Sequence, residues 1–199
     1  MLVSEYLEYL ALALGVANVA LIVRRSIWNY AFGAGSVSAA SFVFWTQRLY
    51  LEAGLQIFFL VLNLYGWRRW TEDRRAAGDI VVLTLAPLHR VLWLAGIGAA
   101  ALALGWLMDR YTDGSAPYLD ALITSASVAA QILLALRRIE NWVLWIFVDL
   151  IAVPLYLIRG IEPLAALYAI FLLLSVAGLI AWAKEWRATQ SGANPSAPM

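Results

Sequence analysis

Residues 56–70 of this chain read QIFFLVLNLYGWRRW, and residues 168–182 read YAIFLLLSVAGLIAW. The two segments align without a gap, and the matched positions are Gln56, Phe59, Leu60, Gly66 and Trp70 in the first and Tyr168, Phe171, Leu172, Gly178 and Trp182 in the second. Glycine and tryptophan are not the residues that hydrophobicity alone would bring into register. We therefore interpret the match as an internal repeat, with chance similarity between leucine-rich helices as the alternative.

The repeat extends toward the beginning of each half. Arg24 and Trp28 correspond to Arg138 and Trp142 if two residues are inserted in one half. Each copy then contains three helices, and one further helix separates the copies. With this spacing both copies enter a membrane in the same direction. The sequence therefore predicts an all-α fold with a parallel 3+1+3 repeat, as in some transporters.

The composition is that of an integral membrane protein. Of the 199 residues 63% are hydrophobic and 14% are charged, and the mean hydropathy is +0.77, whereas globular domains are about 45–50% apolar and about 25% charged. Crossing a bilayer takes about 20 largely apolar residues. Seven stretches come close to this length: 6–23, 27–45, 50–66, 91–108, 118–135, 142–158 and 164–183. The chain contains no cysteine, which excludes disulfides and thiolate catalysis.

Basic residues divide unequally between the two ends of these spans. Of the 14 Lys and Arg residues, eleven follow spans one, three, five or seven, and only Arg48, Arg110 and Arg159 fall at the other end. Because cytoplasmic loops retain positive charge, the distribution predicts an N-terminus outside and a C-terminus in the cytoplasm. It gives no argument for nucleic-acid binding.

These features divide the chain into four parts. The expected parts are a first three-helix repeat at 1–70, a cytoplasmic loop and linking helix at 71–110, a second three-helix repeat at 111–187, and a disordered polar tail at 188–199.

Polar and aromatic side chains within the spans fall on single helix faces at 100° per residue. The candidates for a binding site on these faces are Gln56 and Asn63 in the third span, Thr124 and Gln131 in the fifth, Trp142, Trp145 and Asp149 in the sixth, and Tyr168 in the seventh. Such residues usually face a bundle interior or a wet cavity, although any one of them can instead join helices through hydrogen bonds. The combined pattern predicts a polar path lined by aromatic rings.

Asp149 and the two tryptophans give the clearest chemical signal. Asp149 is expected on the order of 10 Å deep in the membrane, where a carboxylate needs a hydrogen-bond partner, water or a cationic ligand. A partner from a neighbouring helix is the purely structural alternative. Trp142 and Trp145 lie on the same helix face, where two indoles can stack on a flat ring and favour a cationic one.

Three sets of residues resemble the PnuC family of bacterial vitamin transporters, whose best-known substrate is nicotinamide riboside. The sets are Glu140-Asn141-Trp142-x-x-Trp145 with Asp149, Pro154-Leu155-Tyr156 and Gly160; Asn63-x-Tyr65-Gly66-Trp67-x-x-Trp70; and Asp120-Ala121 with Gln131. The similarity covers roughly residues 5–186, and Asn-Trp-x-x-Trp is its most specific part. It implies a fold related to the SWEET sugar transporters, a homotrimer, and facilitated diffusion followed by trapping through a cytoplasmic kinase.

The resemblance also implies roles for single residues. Trp142 and Trp145 match the family's aromatic clamp, and Asn141 and Gln131 match its polar contacts. Gln56 and Asn63 match the corresponding face of the other half. Other members carry thiamine, riboflavin or deoxynucleosides, and this chain lacks the extra leading helix of some nicotinamide riboside members, so the substrate stays open among these compounds.

We therefore expect a multi-pass protein of the bacterial inner membrane that takes up nicotinamide riboside without a cofactor. Asp149 as a proton relay in a coupled transporter is one alternative, and a structural membrane subunit is another. An enzyme is not expected, because the single histidine, His89, has no neighbouring cluster that predicts a metal site, and a phosphate-binding Gly-rich loop with its Lys is lacking.

Overall fold

The computed structural model describes residues 2–46, 48, 50–112 and 116–192. In these residues the chain forms seven α-helices and no β-strand: α1 Leu2–Val23, α2 Asn29–Thr46, α3 Tyr50–Ala77, α4 Pro87–Tyr111, α5 Pro117–Ala135, α6 Glu140–Ile158 and α7 Glu162–Gly192. The all-α class and the number of helices are thus as predicted.

Two helices extend well beyond the apolar stretches that predicted them. The third stretch was expected to end at residue 66, but α3 continues to Ala77 through Arg and Glu residues that favour helix. Helix α7 continues to Gly192, so residues 188–192 are helical where we expected the disordered tail to begin. Residues 193–199 lie outside the described part, and the tail prediction for them is not tested.

Four helices are long and apolar enough to cross a membrane: α4, α5, α6 and α7. The apolar described part of α1, Tyr9–Val23, is shorter. Helix α2 is rich in Ala, Gly and Ser, which lower its hydropathy but allow close packing. In that packing the Ser36 hydroxyl donates to the Ala11 carbonyl of α1 at 2.8 Å, and the Ser41 hydroxyl donates to the Ala53 carbonyl of α3 at 3.2 Å.

The helices pack as two groups of three with one peripheral helix. Helix α2 packs against α1 and α3 in the first group, and α6 packs against α5 and α7 in the second. The groups meet where α1 lies against α7 and where α3 lies against α5. Among the described residues, α4 packs against α5 and against no other helix. Its outer face exposes large apolar side chains: Leu88, Val91, Leu92, Leu94, Leu102 and Trp106.

A linker of residues 78–86 between α3 and α4 covers one end of the bundle. We call this the basic end, because it holds the α1–α2 and α5–α6 connections with Arg25 and Arg137. The Leu83 amide donates to the Arg137 carbonyl at 3.0 Å, and the Ile139 amide donates to the Leu83 carbonyl at 2.9 Å. Ile80 and Val82 are buried against the helices. The linker is therefore packed into the fold and is not a loose loop.

Candidate functional site

A cavity of about 240 Å³ lies between the two groups of three helices. Its wall comes from six of the seven helices, with α4 contributing nothing. The polar residues in the wall are Asn18, Ser36, Gln56, Asn63, Ser127, Gln131, Asn141, Asp149, Tyr168 and Ser175. Aromatic rings line it from both groups, at Phe59 and Phe171 as well as at Trp142 and Trp145. A polar, ring-lined cavity enclosed by a bundle suits a small polar solute with a flat ring.

Eight of the nine residues selected from the sequence line this cavity: Trp142, Trp145, Asn141, Asp149, Gln131, Gln56, Asn63 and Tyr168. The exception is Thr124, which lies on the same face of α5 as Ser127 and Gln131 but one turn nearer the start of the helix. The cavity wall on α5 begins at Ser127, so Thr124 is too far along the helix axis to contribute.

The selection missed the contribution of α1 and α2. Asn18 and Ser36 line the cavity, and the Oδ1 atom of Asn18 is buried without a hydrogen-bond partner among the described residues. Asn18 was visible as an amide inside an apolar stretch. A single amide of this kind serves as interhelical glue just as often, and the sequence did not show which neighbour it faces.

Among the described residues that line the cavity, Asp149 alone carries a formal charge. It is 1% exposed, and its Oδ2 atom accepts a hydrogen bond from the Ser175 hydroxyl at 3.2 Å. Within the described wall no Lys, Arg or His side chain balances this carboxylate. Removing a charge from water is unfavourable unless a partner compensates it. The cavity is therefore suited to a cationic ligand, or to a proton on the carboxylate.

Trp142 is fixed by a glycine and by another tryptophan. A Cβ atom added to Gly178 would lie only 2.5 Å from the Trp142 ring, so the indole occupies space that only glycine leaves free. Trp182 packs edge-on against Trp142, with 5.5 Å between ring centroids. The Nε1 atom of Trp142 and the Oδ1 atom of Asn141 are buried without hydrogen-bond partners among the described residues. Two residues of the wall therefore each have a buried polar atom that is available to a ligand.

Four rings close the basic end of the cavity, and we call Tyr30, Trp70, Trp182 and Trp142 the aromatic quartet. Each is at most 1% exposed. Tyr30 packs edge-on against Trp70 at 5.2 Å, Trp70 contacts Trp182 at 5.9 Å, and Trp182 contacts Trp142 at 5.5 Å. The quartet thus runs without interruption from the first group of helices to the second.

The two middle rings of the quartet are bonded across the groups. The Trp70 Nε1 atom on α3 donates to the Leu134 carbonyl of α5 at 3.3 Å, and the Trp182 Nε1 atom on α7 donates to the Ile22 carbonyl of α1 at 3.2 Å. Ile22 and Leu134 themselves line the cavity. The bonds therefore lie directly behind the cavity wall.

Two ion pairs also join the two groups of helices, farther from the cavity than the indole hydrogen bonds. The Arg25 guanidinium, after α1, lies 3.0 Å from the Glu185 carboxylate on α7, and the Arg137 guanidinium, after α5, lies 2.8 Å from the Asp73 carboxylate on α3. Both arginines adopt a left-handed backbone conformation, with φ of 54° and 57°. Burial lowers the pKa of Arg137, and the Asp73 charge opposes that effect.

A second opening is a less suitable site. It has a volume of about 350 Å³ and lies among the linker, α4, α5 and α6 on the outside of the bundle. Its two charged groups, Arg90 and Glu140, are 2.9 Å apart and neutralise one another. Within the described residues there is no cluster of three or more acidic or histidine side chains that could hold a metal ion.

Comparison with known proteins identifies the family. The model of the family described as "Nicotinamide mononucleotide transporter" matches residues 5–184. The chain belongs to this transporter family. Its members are transporters and not enzymes, in agreement with the prediction from the sequence.

Proteins that are similar to this chain are named for more than one transported solute. The chain is 25% identical over 208 residues to "Nicotinamide riboside transporter PnuC" of Escherichia coli (strain K12), covering 92% of this chain and 87% of the relative. It is 32% identical over 176 residues to "Riboflavin/roseoflavin transporter RibM" of Streptomyces davaonensis, covering 85% and 80%.

A solved structure of the family has the same fold. The structure entitled "Crystal structure of the Vitamin B3 transporter PnuC" matches with a TM-score of 0.75 and 25% sequence identity, covering 92% of this chain and 83% of that chain. The resemblance to the PnuC family that the sequence motifs indicated is confirmed.

Proposed function

We propose that this protein takes up nicotinamide riboside across the bacterial inner membrane by facilitated diffusion. The observation that carries the proposal is the single buried carboxylate of Asp149 in a cavity that also presents Trp142 and Trp145. Nicotinamide riboside carries its positive charge on a flat pyridinium ring, which is attracted both to indole faces and to a carboxylate. Relatives named for this substrate support the assignment.

In the proposed complex the pyridinium ring stacks on Trp142 and Trp145 near Asp149. Asn141 and Gln131 form hydrogen bonds with the carboxamide. Gln56 and Asn63, from the other group of helices, form hydrogen bonds with the ribose hydroxyls. The unpartnered Oδ1 atom of Asn141 supports this arrangement, because a primary amide can donate an N–H to it.

Alternating access by two equivalent halves is the proposed mechanism, with a parallel 3+1+3 repeat, the N-terminus outside and the basic end in the cytoplasm. The exchanged contacts support the repeat, since Trp70 and Trp182 bond to Leu134 and Ile22, and Asp73 and Glu185 pair with Arg137 and Arg25. Each of these residues in the first half is separated from its counterpart in the second half by the same number of positions. This equal spacing favours an alignment of the two halves without a gap, in which Tyr30, and not Trp28, is the counterpart of Trp142.

Riboflavin is the second candidate, because RibM is named for that vitamin and is 32% identical to this chain. Thiamine and deoxynucleosides remain alternatives of the same class. The flavin ring is neutral, so it would leave the Asp149 carboxylate without a compensating charge. Thiamine carries a cationic thiazolium and would satisfy the same requirement. Charge thus separates the candidates into two groups that one binding experiment can compare.

Isothermal titration calorimetry on the detergent-purified protein tests the proposal with nicotinamide riboside, thiamine, riboflavin and a deoxynucleoside. The test variant is Trp142→Ala, and the matched control is Trp106→Ala, which removes an exposed indole on α4. We expect nicotinamide riboside to bind to the native protein and to the control but not to Trp142→Ala. If riboflavin alone bound saturably, riboflavin would replace nicotinamide riboside as the assigned substrate. Binding of none of the four would contradict a vitamin carrier and favour a structural subunit.

Coupling to protons is tested in liposomes. Facilitated diffusion predicts that uptake of nicotinamide riboside continues when an uncoupler dissipates the proton gradient. A collapse of uptake would instead assign Asp149 the role of a proton relay. Retention of the vitamin in cells would depend on a cytoplasmic kinase that phosphorylates it, and this coupling is part of the proposal.

A further inference from the structure

We infer that Trp70 and Trp182 form the gate at the basic end of the cavity, and that Trp182 also positions Trp142 against the ligand. The inference rests on the proposed transport function, because a gate requires a solute that passes. Both rings are 0% exposed, and both indole N–H groups donate to the opposite group of helices. Neither tryptophan lines the cavity; each stands behind a residue that does.

A solute leaving the cavity toward the basic end must separate these contacts. Ile22 and Leu134 line the cavity, and their carbonyls accept the two indole hydrogen bonds. Behind them the Trp70 and Trp182 rings touch each other at 5.9 Å. Moving one group of helices away from the other breaks both hydrogen bonds and the ring contact together, because each of them joins the two groups.

The surroundings of the two rings hold this closed arrangement in place. The ion pairs of Arg25 with Glu185 and of Arg137 with Asp73 join the same helix ends farther out. The linker covers the same end with the buried side chains of Ile80 and Val82. The gate is therefore the inner layer of a seal that has ion pairs and the linker outside it.

The hydrogen bonds of Trp70 and Trp182 are weak enough for the gate to open. A hydrogen bond between neutral groups contributes only a modest net free energy, because water can replace the lost partner. Both indole N–H groups lie at an end where water can reach them once the groups separate. Two neutral hydrogen bonds and a ring contact can therefore break and form again as the groups separate and return.

Trp182 connects this gate to the binding site. Its ring packs edge-on against Trp142, and Trp142 lines the cavity. A displacement of Trp182 therefore removes the support of the ring that we assign to the ligand. In this arrangement the closed gate and the ligand-binding position of Trp142 occur together.

Cysteine accessibility tests the gate, since the chain has no cysteine of its own. A single Val19→Cys substitution places a thiol in the cavity wall, and His89→Cys in a separate protein reports which side of a membrane vesicle the basic end faces. We expect Trp70→Phe and Trp182→Phe, which keep a ring but remove the N–H donor, each to raise the rate of Val19→Cys modification about threefold to tenfold. The reagent is a membrane-impermeant maleimide.

The direction of the effect is part of the prediction. The rate should rise only in vesicles whose basic end faces the maleimide, and the control Trp106→Phe on α4 should leave the rate unchanged. An equal rise from both sides would mean general loosening and would overturn the inference. An unchanged rate from the basic end in both variants would overturn it as well.

Binding measurements on the same variants separate this inference from the proposed function. Trp182→Phe should weaken nicotinamide riboside binding more than Trp70→Phe, because only Trp182 contacts Trp142. If accessibility changes as expected while no vitamin binds to the native protein, the gate stands and the substrate assignment fails. If the vitamin binds and accessibility does not change, the substrate assignment stands and the gate fails. Equal effects of the two variants on binding would contradict the positioning role of Trp182.

Discussion

Asp149 keeps a buried carboxylate in a cavity whose described wall offers no opposite charge. A neutral hydroxyl, Ser175, is its hydrogen-bond partner. One hydroxyl does not replace the hydration of a carboxylate. At the scale of a single residue, we expect this unbalanced charge to make the cavity prefer cationic solutes.

Asp149→Asn should therefore reverse the preference of the cavity for charge. The amide keeps the shape and can still accept a hydrogen bond from Ser175, but it no longer attracts a cation. We expect the affinity for nicotinamide riboside to fall about tenfold or more, equivalent to at least about 1.4 kcal/mol, while the affinity for riboflavin rises or stays the same. Calorimetric titration measures both. A similar loss for both vitamins would show that the carboxylate has a structural role.

Gly178→Ala should displace Trp142. The new methyl would lie only 2.5 Å from carbons of the indole ring, and forcing a group into a packed site typically costs about 1–3 kcal/mol. We expect a lower melting temperature and weaker ligand binding.

Gly66→Ala is the matched control for binding, because its methyl meets the Tyr30 ring instead. It should lower the melting temperature by a similar amount and leave most of the ligand affinity. If Gly66→Ala abolished binding to the same extent, the specific displacement of Trp142 would not explain the result.

The sequence predicted most of the wall because helical periodicity shows which residues share a face. It did not show how far along each helix the cavity extends. Thr124 and Gln131 were indistinguishable for this reason, although only Gln131 lines the cavity. Asn18 was missed because periodicity within one helix does not show which residues of other helices lie beside it, here Gly33 of α2.

At the scale of elements, the linker between α3 and α4 is the part that the sequence concealed. It appeared as a charged cytoplasmic loop, since residues 78–86 are too short and irregular to show a helical or strand period. The structure buries Ile80 and Val82 and joins Leu83 to the α5–α6 connection through two backbone hydrogen bonds. The helices themselves were predictable, because long apolar stretches leave few other folds in a membrane.

Ile80→Ala tests whether the linker contributes to stability. Ile80 is 1% exposed, and shortening a fully buried isoleucine typically costs about 2–5 kcal/mol. We expect a clear fall in the melting temperature in detergent. Leu88→Ala at the start of α4, where the side chain is 67% exposed, should have little effect. Equal melting temperatures for the two variants would mean that the linker is only loosely attached.

At the scale of the whole molecule, the ion pairs between the two groups are similar in geometry but unequal in surroundings. Arg137 is 8% exposed, and Arg69 and Arg138 add positive charge beside it. Arg25 has two carboxylates, Glu185 at 3.0 Å and Asp79 at 3.6 Å.

Asp73→Asn should therefore be more destabilising than Glu185→Gln. The first leaves a buried guanidinium without its carboxylate, which we expect to cost about 2 kcal/mol or more. The second leaves Arg25 with Asp79 at a more exposed position and should cost less than about 1 kcal/mol. Denaturation of both variants measures the difference. Equal losses would show that the arginine environments do not matter.

Assembly is also a property at this scale. We predict a homotrimer, and native mass spectrometry in detergent measures the number of chains directly. A mass of one chain, with intact vitamin binding, would contradict the prediction and show that the cavity of one protomer is sufficient.

The hydrogen bond from Trp182 to the Ile22 carbonyl joins residues 160 positions apart in the chain. During synthesis the first three helices are made long before α7, so at that stage the Ile22 carbonyl has the Arg25 amide as a donor but not the Trp182 indole. The seal is completed only when nearly the whole chain has been made. A chain that ends before Trp182 lacks both the hydrogen bond to Ile22 and the ring contact with Trp142.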